Sequence, residues 1–220
     1  MILAHASDSA GLTIANMNLH GAYLFEHDQA FRTYTESADL CLIDGWPILK
    51  LLRSRRHRAA RFRTGSTDWL QELLDSGVPL TIAAIGGTAE ASALAAAAIS
   101  RDYPSITWVG VPGYQLERSA ESIARAVAAA SLVLVGMGMP RQERWILDNR
   151  PLLANKVVAN VGGCIDYFAG TQDLAPRWLG AVGLEWLYRL SRDPARLASR
   201  YLLEPVKLCV ALIRRRLGTR

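Results

Sequence analysis

The segment "LVLVGMGMPRQERWIL", residues 132–147, decides the fold class. Its first five residues are apolar and predict a short buried strand that ends at Gly136. From Pro140 onward the segment is typical of a helix, because proline is well tolerated at the first helical position. Strand, glycine-containing loop and helix in this order predict one β-α unit.

The same alternation extends in both directions along the chain. Further strands are predicted at "LTIANM", "LCLI", "PLTIAAI", "ITWVGV" and "KVVANVG", and helices at "HDQAFRTYTESA", "STDWLQELLDSG", "TAEASALAAAAISRDY", "SAESIARAVAAA" and "PRQERWILDNRPLL". Such alternation predicts an α/β, Rossmann-like fold, a mostly parallel sheet with helices on both faces.

The pattern changes after Gly170, where the chain becomes helical. Three stretches, "PRWLGAVGLEWLYRLSR", "PARLASRYLLE" and "PVKLCVALIRRRLG", are divided by Pro194 and Pro205. We therefore predict an α/β catalytic body over residues 1–170 and a helical C-terminal appendage, basic and aromatic-rich, over residues 171–220.

Composition narrows the class of protein. The chain has 220 residues, 50% of them hydrophobic, which is enough for a packed core. Its cysteines, Cys41, Cys164 and Cys209, have neither disulfide-framework nor zinc spacing and suit a reducing cytosol. The start "MILAHASDSAG" does not predict a signal peptide. No window reaches the roughly 18 uncharged apolar residues of a membrane-spanning helix.

The positive charge is concentrated near the C-terminus. Residues 189–220 hold nine Lys or Arg against Asp193 and Glu204, a net charge of +7. Because the whole chain carries +5, residues 1–188 carry −2. A basic tail of this kind can bind nucleic acid, an anionic membrane or an anionic substrate.

Polar residues and glycines stand where the predicted strands end. Since the carboxyl ends of parallel strands share one edge, these residues should converge on a single cleft. They are Asn16 and Asn18, Asp44, Gly86 with Gly87 and Thr88, the run from Gly136 through Gly138 to Gln142 and Glu143, and the run from Gly162 to Asp166.

Most of these residues admit two interpretations. Asp44 precedes a glycine and is either a turn residue or a catalytic carboxylate. Gly86 and Gly87 either form an ordinary tight turn or bring a phosphate to a helix N-terminus. Glu143 either interacts with the helix dipole or belongs to the site, and Asp166 is either a cap or a nucleotide ligand. Gln142 has no structural role of this kind and could bond a sugar hydroxyl.

Several motifs are missing from the sequence. There is no G-x-G-x-x-G fingerprint, no Walker lysine and no Asp-x-Asp pair, and the four histidines have no ligand spacing. We therefore predict no cofactor and no metal. Backbone amides and arginines would have to carry the charge of any departing diphosphate.

Six segments taken together resemble the WecG/TagA/CpsF family, glycosyltransferase family 26. They are "ADLCLIDG", "IGGTAE", "GVPGY", "VGMGMPRQERWI", "NVGGCIDYFAGTQDLAPRW" and "GLEWLYRLSRDPARLASRY", in order over about residues 12–201.

The resemblance implies an inverting, metal-independent hexosyl- or N-acetylhexosaminyltransferase. Such enzymes move a sugar from a UDP-sugar to an undecaprenyl-diphosphate-linked saccharide, in cell-surface or exopolysaccharide synthesis. They act as peripheral proteins at the cytoplasmic face of the bacterial inner membrane, and a C-terminal appendage docks at the anionic membrane surface.

The resemblance also assigns roles to individual residues. It makes Asp44 the general base, and places Asn16 and Asn18 on a Thr-x-Asn motif whose threonine is Asn16 here. Gln142 matches a family glutamine, and Tyr114 and Asp166 match the nucleotide side of the cleft. Gly86, Gly87, Gly138 and Glu143 are further candidates for substrate binding, and Arg189, Arg196 and Arg200 match appendage arginines that meet the diphosphate.

Three alternatives stay open. A nucleotide-dependent oxidoreductase would need the fingerprint that is missing, and a nucleic-acid-binding module would leave the α/β body without a purpose. An inactive nucleotide-sugar-binding scaffold is compatible with the departure at Asn16. A homo-oligomer is possible, and its state is left open.

Overall fold

The structure is a computed structural model that describes residues 2–8, 11–45, 48–49, 64–114, 120–173, 175–176, 179, 184–216 and 218. The strands are β1 Leu12–Met17, β2 Leu40–Ile43, β3 Leu80–Gly86, β4 Ile106–Val111, β5 Leu132–Gly136 and β6 Val157–Asn160. The helices are α1 Ile2–Asp8, α2 Leu19–His27, α3 Gln29–Ser37, α4 Ser66–Asp75, α5 Ala89–Asp102, α6 Ala120–Ala129, α7 Arg141–Asp148, α8 Cys164–Phe168, α9 Glu185–Arg192, α10 Pro194–Ala198 and α11 Glu204–Arg216, with a π-helix at Ser199–Leu203.

The strands pair in the order β2-β1-β6-β5-β3-β4, and every pairing is parallel. Helices cover both faces. Leu132 and Leu134 pack on one face with α4 and α5, whereas Val133 and Val135 pack on the other with α6 and α7. The predicted α/β, Rossmann-like class is confirmed.

All strands are parallel, but the direction in which the chain moves across the sheet from strand to strand reverses at two places. After β3 the chain passes over one face to β4, and after β4 it returns over the opposite face to β5. Likewise α3, after β1, and α8, after β6, lie on opposite faces, as Tyr34 and Ile165 show. Neighbouring strands whose following helices diverge leave a crevice at their carboxyl ends.

Glycines permit the close approach of loops at this edge. A Cβ on Gly86 would lie 2.2 Å from the carbonyl oxygen of Gly136, and a Cβ on Gly136 would lie 2.7 Å from that of Gly162. Such distances are too short for any side chain. Gly86 and Gly136, the last residues of β3 and β5, therefore let the neighbouring chain segments approach closely.

Several helices differ from their predicted bounds. The chain forms α2 directly after β1, where no helix was predicted, because the Asn18 side chain accepts the Gly21 N–H and caps it. Helix α7 ends at Asp148, five residues before its predicted end. Pro205 does not divide two segments, since the π-helix leads directly into α11 and proline is tolerated in a first turn.

The C-terminal helices pack against the body. His20 Nδ1 lies 2.5 Å from Glu204 Oε2, joining α2 to α11, and Arg192 pairs with Asp173 at 2.9 Å. Leu197 of α10 is buried. Where the structure describes the chain, no helix is long and apolar enough to cross a membrane. Trp178 and part of the first predicted appendage helix lie outside the described residues. The boundary near residue 170 stays a prediction.

Candidate active site

A cavity of about 440 Å³ opens at the carboxyl edge of the sheet. Its body side is formed by the ends of β1, β2 and β6, the start of α4 and the loop at Gly138 and Met139. The C-terminal helices also line it, through Tyr188, Arg189, Arg192, Asp193, Leu197, Arg200 and Tyr201. The cavity therefore lies at the crevice between β1 and β6, with the appendage over it.

Asp44 lies in this cavity, one residue beyond β2. Its N–H donates to the Met17 carbonyl at 2.8 Å, which ties the strand end to β1. A Cβ on Gly65 would lie 3.4 Å from Asp44 Oδ1, so the carboxylate faces the residue before α4. The positive end of a ten-residue helix favours a negative charge at this position.

Arginines face Asp44 from the appendage. Arg189 forms an ion pair with Glu185 and lies over the Tyr167 ring, 5.7 Å from its centroid. Burial lowers the pKa of Arg189, but the nearby Tyr167, Glu185, Tyr201 and Asp44 outweigh this effect and leave the pKa raised. Arg189 therefore stays cationic close to Asp44. Arg192 and Arg200 line the same cavity.

A buried polar cluster lies at the ends of β1 and β6. Asn16 is 5% exposed, and its Nδ2 donates to the Asn160 carbonyl at 2.5 Å. Asn160 Nδ2 donates to Glu143 Oε1 at 2.6 Å, and Gln142 Nε2 donates to the same oxygen at 2.7 Å. Gln142 Oε1 accepts from the Gly162 N–H at 3.1 Å. We call Asn16, Gln142, Glu143 and Asn160 the floor cluster.

Burial changes the protonation chemistry of the floor cluster. Desolvation raises the pKa of Glu143 to about 7, although hydrogen bonds from Gln142 and Asn160 oppose the shift. Tyr34 lies on the face of the sheet that α6 and α7 cover, and its hydroxyl donates to the Ile14 carbonyl at 3.0 Å. Its pKa is also raised, by burial and by Glu143.

The structure brings some predicted site residues together and separates others. Asp44, Asn16, Asn18, Gly138, Arg189 and Arg200 line the cavity. Gln142 and Glu143 are fully buried in the floor cluster, and neither lines the cavity. Gln142 therefore does not make the predicted direct contact with a sugar, and any effect on a sugar would have to pass through Gly162 or Asn160. The side chain of Arg196 lies outside the described residues.

The remaining predicted residues form a second group farther along the same edge. Gly87 accepts the Gly113 N–H at 3.1 Å, and Arg141 donates to the Gly113 carbonyl at 2.8 Å while lying over the exposed ring of Tyr114. Thr88 caps α5, which is the structural role expected for a tight turn. Asp166 lies beside Gly87, since a Cβ there would be 3.5 Å from Asp166 Oδ1.

Sequence reasoning missed several residues of the site. Asn160 carried a usable signal, a polar residue at the end of an apolar strand. Tyr167, Arg192, Ser66 and Thr67 line the cavity without any local signal, because helix packing and not strand position brings them there. Within the described residues, no group of three or more His, Cys, Asp and Glu side chains is placed to hold a metal ion.

The open parallel sheet and the cavity at its carboxyl edge are typical of α/β proteins that bind their ligands at the strand ends. The chain belongs to the glycosyl transferase WecG/TagA/CpsF family, whose model matches residues 1–220. It is similar to the N-acetylglucosaminyldiphosphoundecaprenol N-acetyl-beta-D-mannosaminyltransferase of Bacillus subtilis (strain 168). The two are 30% identical over 191 residues, which cover 84% of this chain and 73% of the relative. The family resemblance found in the sequence is confirmed.

The raised pKa of Glu143 predicts a pH dependence of stability. The folded state holds this proton up to about pH 7, whereas an unfolded glutamate releases it near 4.5. The folded state binds more protons in that window, so this group lowers stability as the pH rises from 4.5 to 7, by up to about 3 kcal/mol. Glu143→Gln should remove this slope in denaturant unfolding measured across the window.

Glu72→Gln is the matched control, since Glu72 is exposed on α4. It should keep the wild-type slope. Identical pH profiles for the wild type and Glu143→Gln would show that the buried carboxyl does not titrate in this range.

Proposed function

We propose that the protein is an inverting glycosyltransferase that moves a sugar from a UDP-sugar to an undecaprenyl-diphosphate-linked saccharide, in the synthesis of a cell-surface or extracellular polysaccharide. The observation that carries the proposal is the position of Asp44, a carboxylate in the cavity of a family glycosyltransferase, facing α4 and close to cationic Arg189.

The proposed chemistry is a single displacement. The acceptor hydroxyl oxygen attacks the anomeric carbon of the donor while the bond from that carbon to the UDP oxygen breaks. Asp44 takes the proton of the hydroxyl, which is the task of a general base. Aspartate side chains are ordinarily ionised at neutral pH, which is the form that accepts a proton.

The departing diphosphate needs positive charge. Arg189, Arg192 and Arg200 line the same cavity as Asp44 and are suited to this role, because guanidinium groups bind phosphate oxygens with paired hydrogen bonds. Family resemblance and the lack of an Asp-x-Asp pair support a reaction that needs no metal.

The donor and acceptor follow the relative. The Bacillus subtilis protein is named as a transferase of N-acetylmannosamine to N-acetylglucosaminyl-diphosphoundecaprenol. For this chain we propose a UDP-linked hexose or N-acetylhexosamine as donor and a polyprenyl-diphosphate-linked sugar as acceptor. The Asn16 amide donates to the Asn160 carbonyl. The replacement of the family threonine by Asn16 therefore gives little reason to prefer a plain hexose over an N-acetylhexosamine as donor.

A lipid-linked acceptor requires a protein that reaches the membrane surface. Leu203, Val206, Val210 and Ile213 are exposed at spacings of three and four residues, so they form one apolar face of the C-terminal helices. With Lys207 and Arg214 on the same helix, this face suits an anionic bilayer surface. We propose peripheral binding through this apolar face, at the cytoplasmic side of the inner membrane.

Removal of the proposed base gives the first test. Asp44→Asn should keep the fold and UDP binding and reduce turnover by roughly 10²- to 10⁴-fold, the range for a lost general base. UDP release with a panel of UDP-sugars and a lipid-diphosphate acceptor measures this. Asp75→Asn, a change near the far end of α4, should have no effect. Turnover of Asp44→Asn within about threefold of wild type would remove Asp44 from this role.

The metal-independent reaction is tested in the same assay. Transfer should continue at the wild-type rate in excess EDTA, since arginines and not a cation stabilise the leaving diphosphate. If EDTA stops the reaction and magnesium or manganese restores it, the proposed reaction needs a metal after all.

Membrane binding is tested on the apolar face. Val206→Glu, Val210→Glu and Ile213→Glu combined should abolish sedimentation with anionic liposomes, because three charges would enter the acyl region. Transfer to a short-chain, water-soluble acceptor should survive. Leu94→Glu, an exposed apolar position on α5, is the matched control and should bind as wild type does. Retained liposome binding by the triple variant would disprove docking through this face.

A further inference from the structure

The floor cluster has a single possible arrangement of hydrogen bonds. The backbone N–H of Asn16 can only donate, and it donates to Asn160 Oδ1 at 2.7 Å. This contact fixes the Asn160 amide, whose Nδ2 must then donate to Glu143 Oε1. In the same way the Gly162 N–H fixes Gln142, so that Gln142 Nε2 also donates to Glu143 Oε1. Both amides converge on one carboxyl oxygen.

This oxygen joins four segments that carry the cavity. Asn16 is the second-last residue of β1, Asn160 ends β6, and Gly162 lies in the loop before α8. Gln142 and Glu143 lie in the first turn of α7, just after Gly138 and Met139. Each segment contributes lining residues. A displacement of Glu143 Oε1 would therefore move several parts of the cavity wall at once.

The cost of this arrangement indicates a purpose beyond packing. Glu143 is fully buried, and among the described residues its Oε2 has no hydrogen-bond partner. Among the described residues, the ionisable group that acts on its pKa is Asp28, directly before α3, which raises the pKa and supplies no positive charge. Apolar residues in place of the whole floor cluster would fill such a site at less cost, so a buried carboxyl with its two amide partners needs another reason.

We propose that Glu143 is a positioning residue for the transfer reaction, which through Asn160 and Gln142 fixes the cavity wall formed by the ends of β1 and β6 relative to Asp44. This inference rests on the proposed glycosyl transfer. Glu143 does not touch the reacting atoms, and it acts by keeping the reacting groups aligned, where a misplacement of about 1 Å can cost 10²-fold in rate.

Two substitutions separate positioning from charge. Glu143→Gln keeps an oxygen that can accept from both amides, so its turnover should stay within about threefold of wild type. Glu143→Leu has a similar volume but no acceptor, which leaves two buried amide donors unpaired. Its kcat should fall by roughly 10- to 100-fold, with a KM for the UDP-sugar that changes much less.

Amide hydrogen exchange on the intact protein gives a readout that needs no activity. The N–H groups of Asn16 and Gly162 are held by Asn160 and Gln142, so both should exchange at least about tenfold faster in Glu143→Leu and at the wild-type rate in Glu143→Gln. Ile146→Val is the matched control, because Ile146 is buried on the same helix but lies outside the floor cluster. It should leave both amides unchanged.

The outcomes distinguish this inference from the function on which it rests. Unchanged exchange in Glu143→Leu, or equal acceleration in Ile146→Val, overturns the positioning role whether or not the enzyme transfers sugar. Accelerated exchange with a kcat within threefold of wild type also overturns it. Failure of the wild type to release UDP with any donor would instead overturn the proposed function.

Discussion

The hydrogen bond between Asn160 and Glu143 is the contact on which the shape of the site depends. All strands of the sheet run in parallel, so all their carboxyl ends meet at one edge, and chain segments at that edge have lost their strand partners. Asn16 still pairs with Leu42 of β2, but on the β6 side the Asn160 side chain takes the place of a strand partner, and Glu143 holds Asn160 in turn. The buried carboxyl of Glu143 thus extends the hydrogen bonding of the sheet into the loops that surround the cavity.

The cavity combines two parts of the chain with different chemistry. The body contributes Asp44 at the positive end of α4, together with glycine loops that give a ligand access to the backbone. The C-terminal helices contribute the arginines and tyrosines, and the pair of His20 with Glu204 fixes them to α2. A carboxylate on one side and guanidinium groups on the other suit a reaction in which a proton is taken from one substrate and a diphosphate leaves with the other.

Much of the fold was predictable from the sequence because its signals are local. Apolar runs ending in glycine or asparagine gave the strands, and these placed Asp44 and Asn16 at the correct edge. Helix α2 was missed because it depends on a cap by Asn18 directly after β1. The burial of Gln142 was also missed, because it faces inward and accepts from the N–H of Gly162, a residue 20 positions away with no periodic relation to it. Contacts of this kind follow from packing, and a single sequence carries no signal for them.

The configuration of the anomeric carbon in the product tests the central claim most directly. In the proposed reaction one carboxylate, Asp44, acts as a base in one displacement, and the arginines of the same cavity receive the diphosphate. NMR of the transferred sugar, compared with the UDP-sugar supplied, should show the opposite anomeric configuration. Retained configuration would contradict the account, because retention requires a second displacement, as through a glycosyl-enzyme intermediate, in place of direct attack by the acceptor.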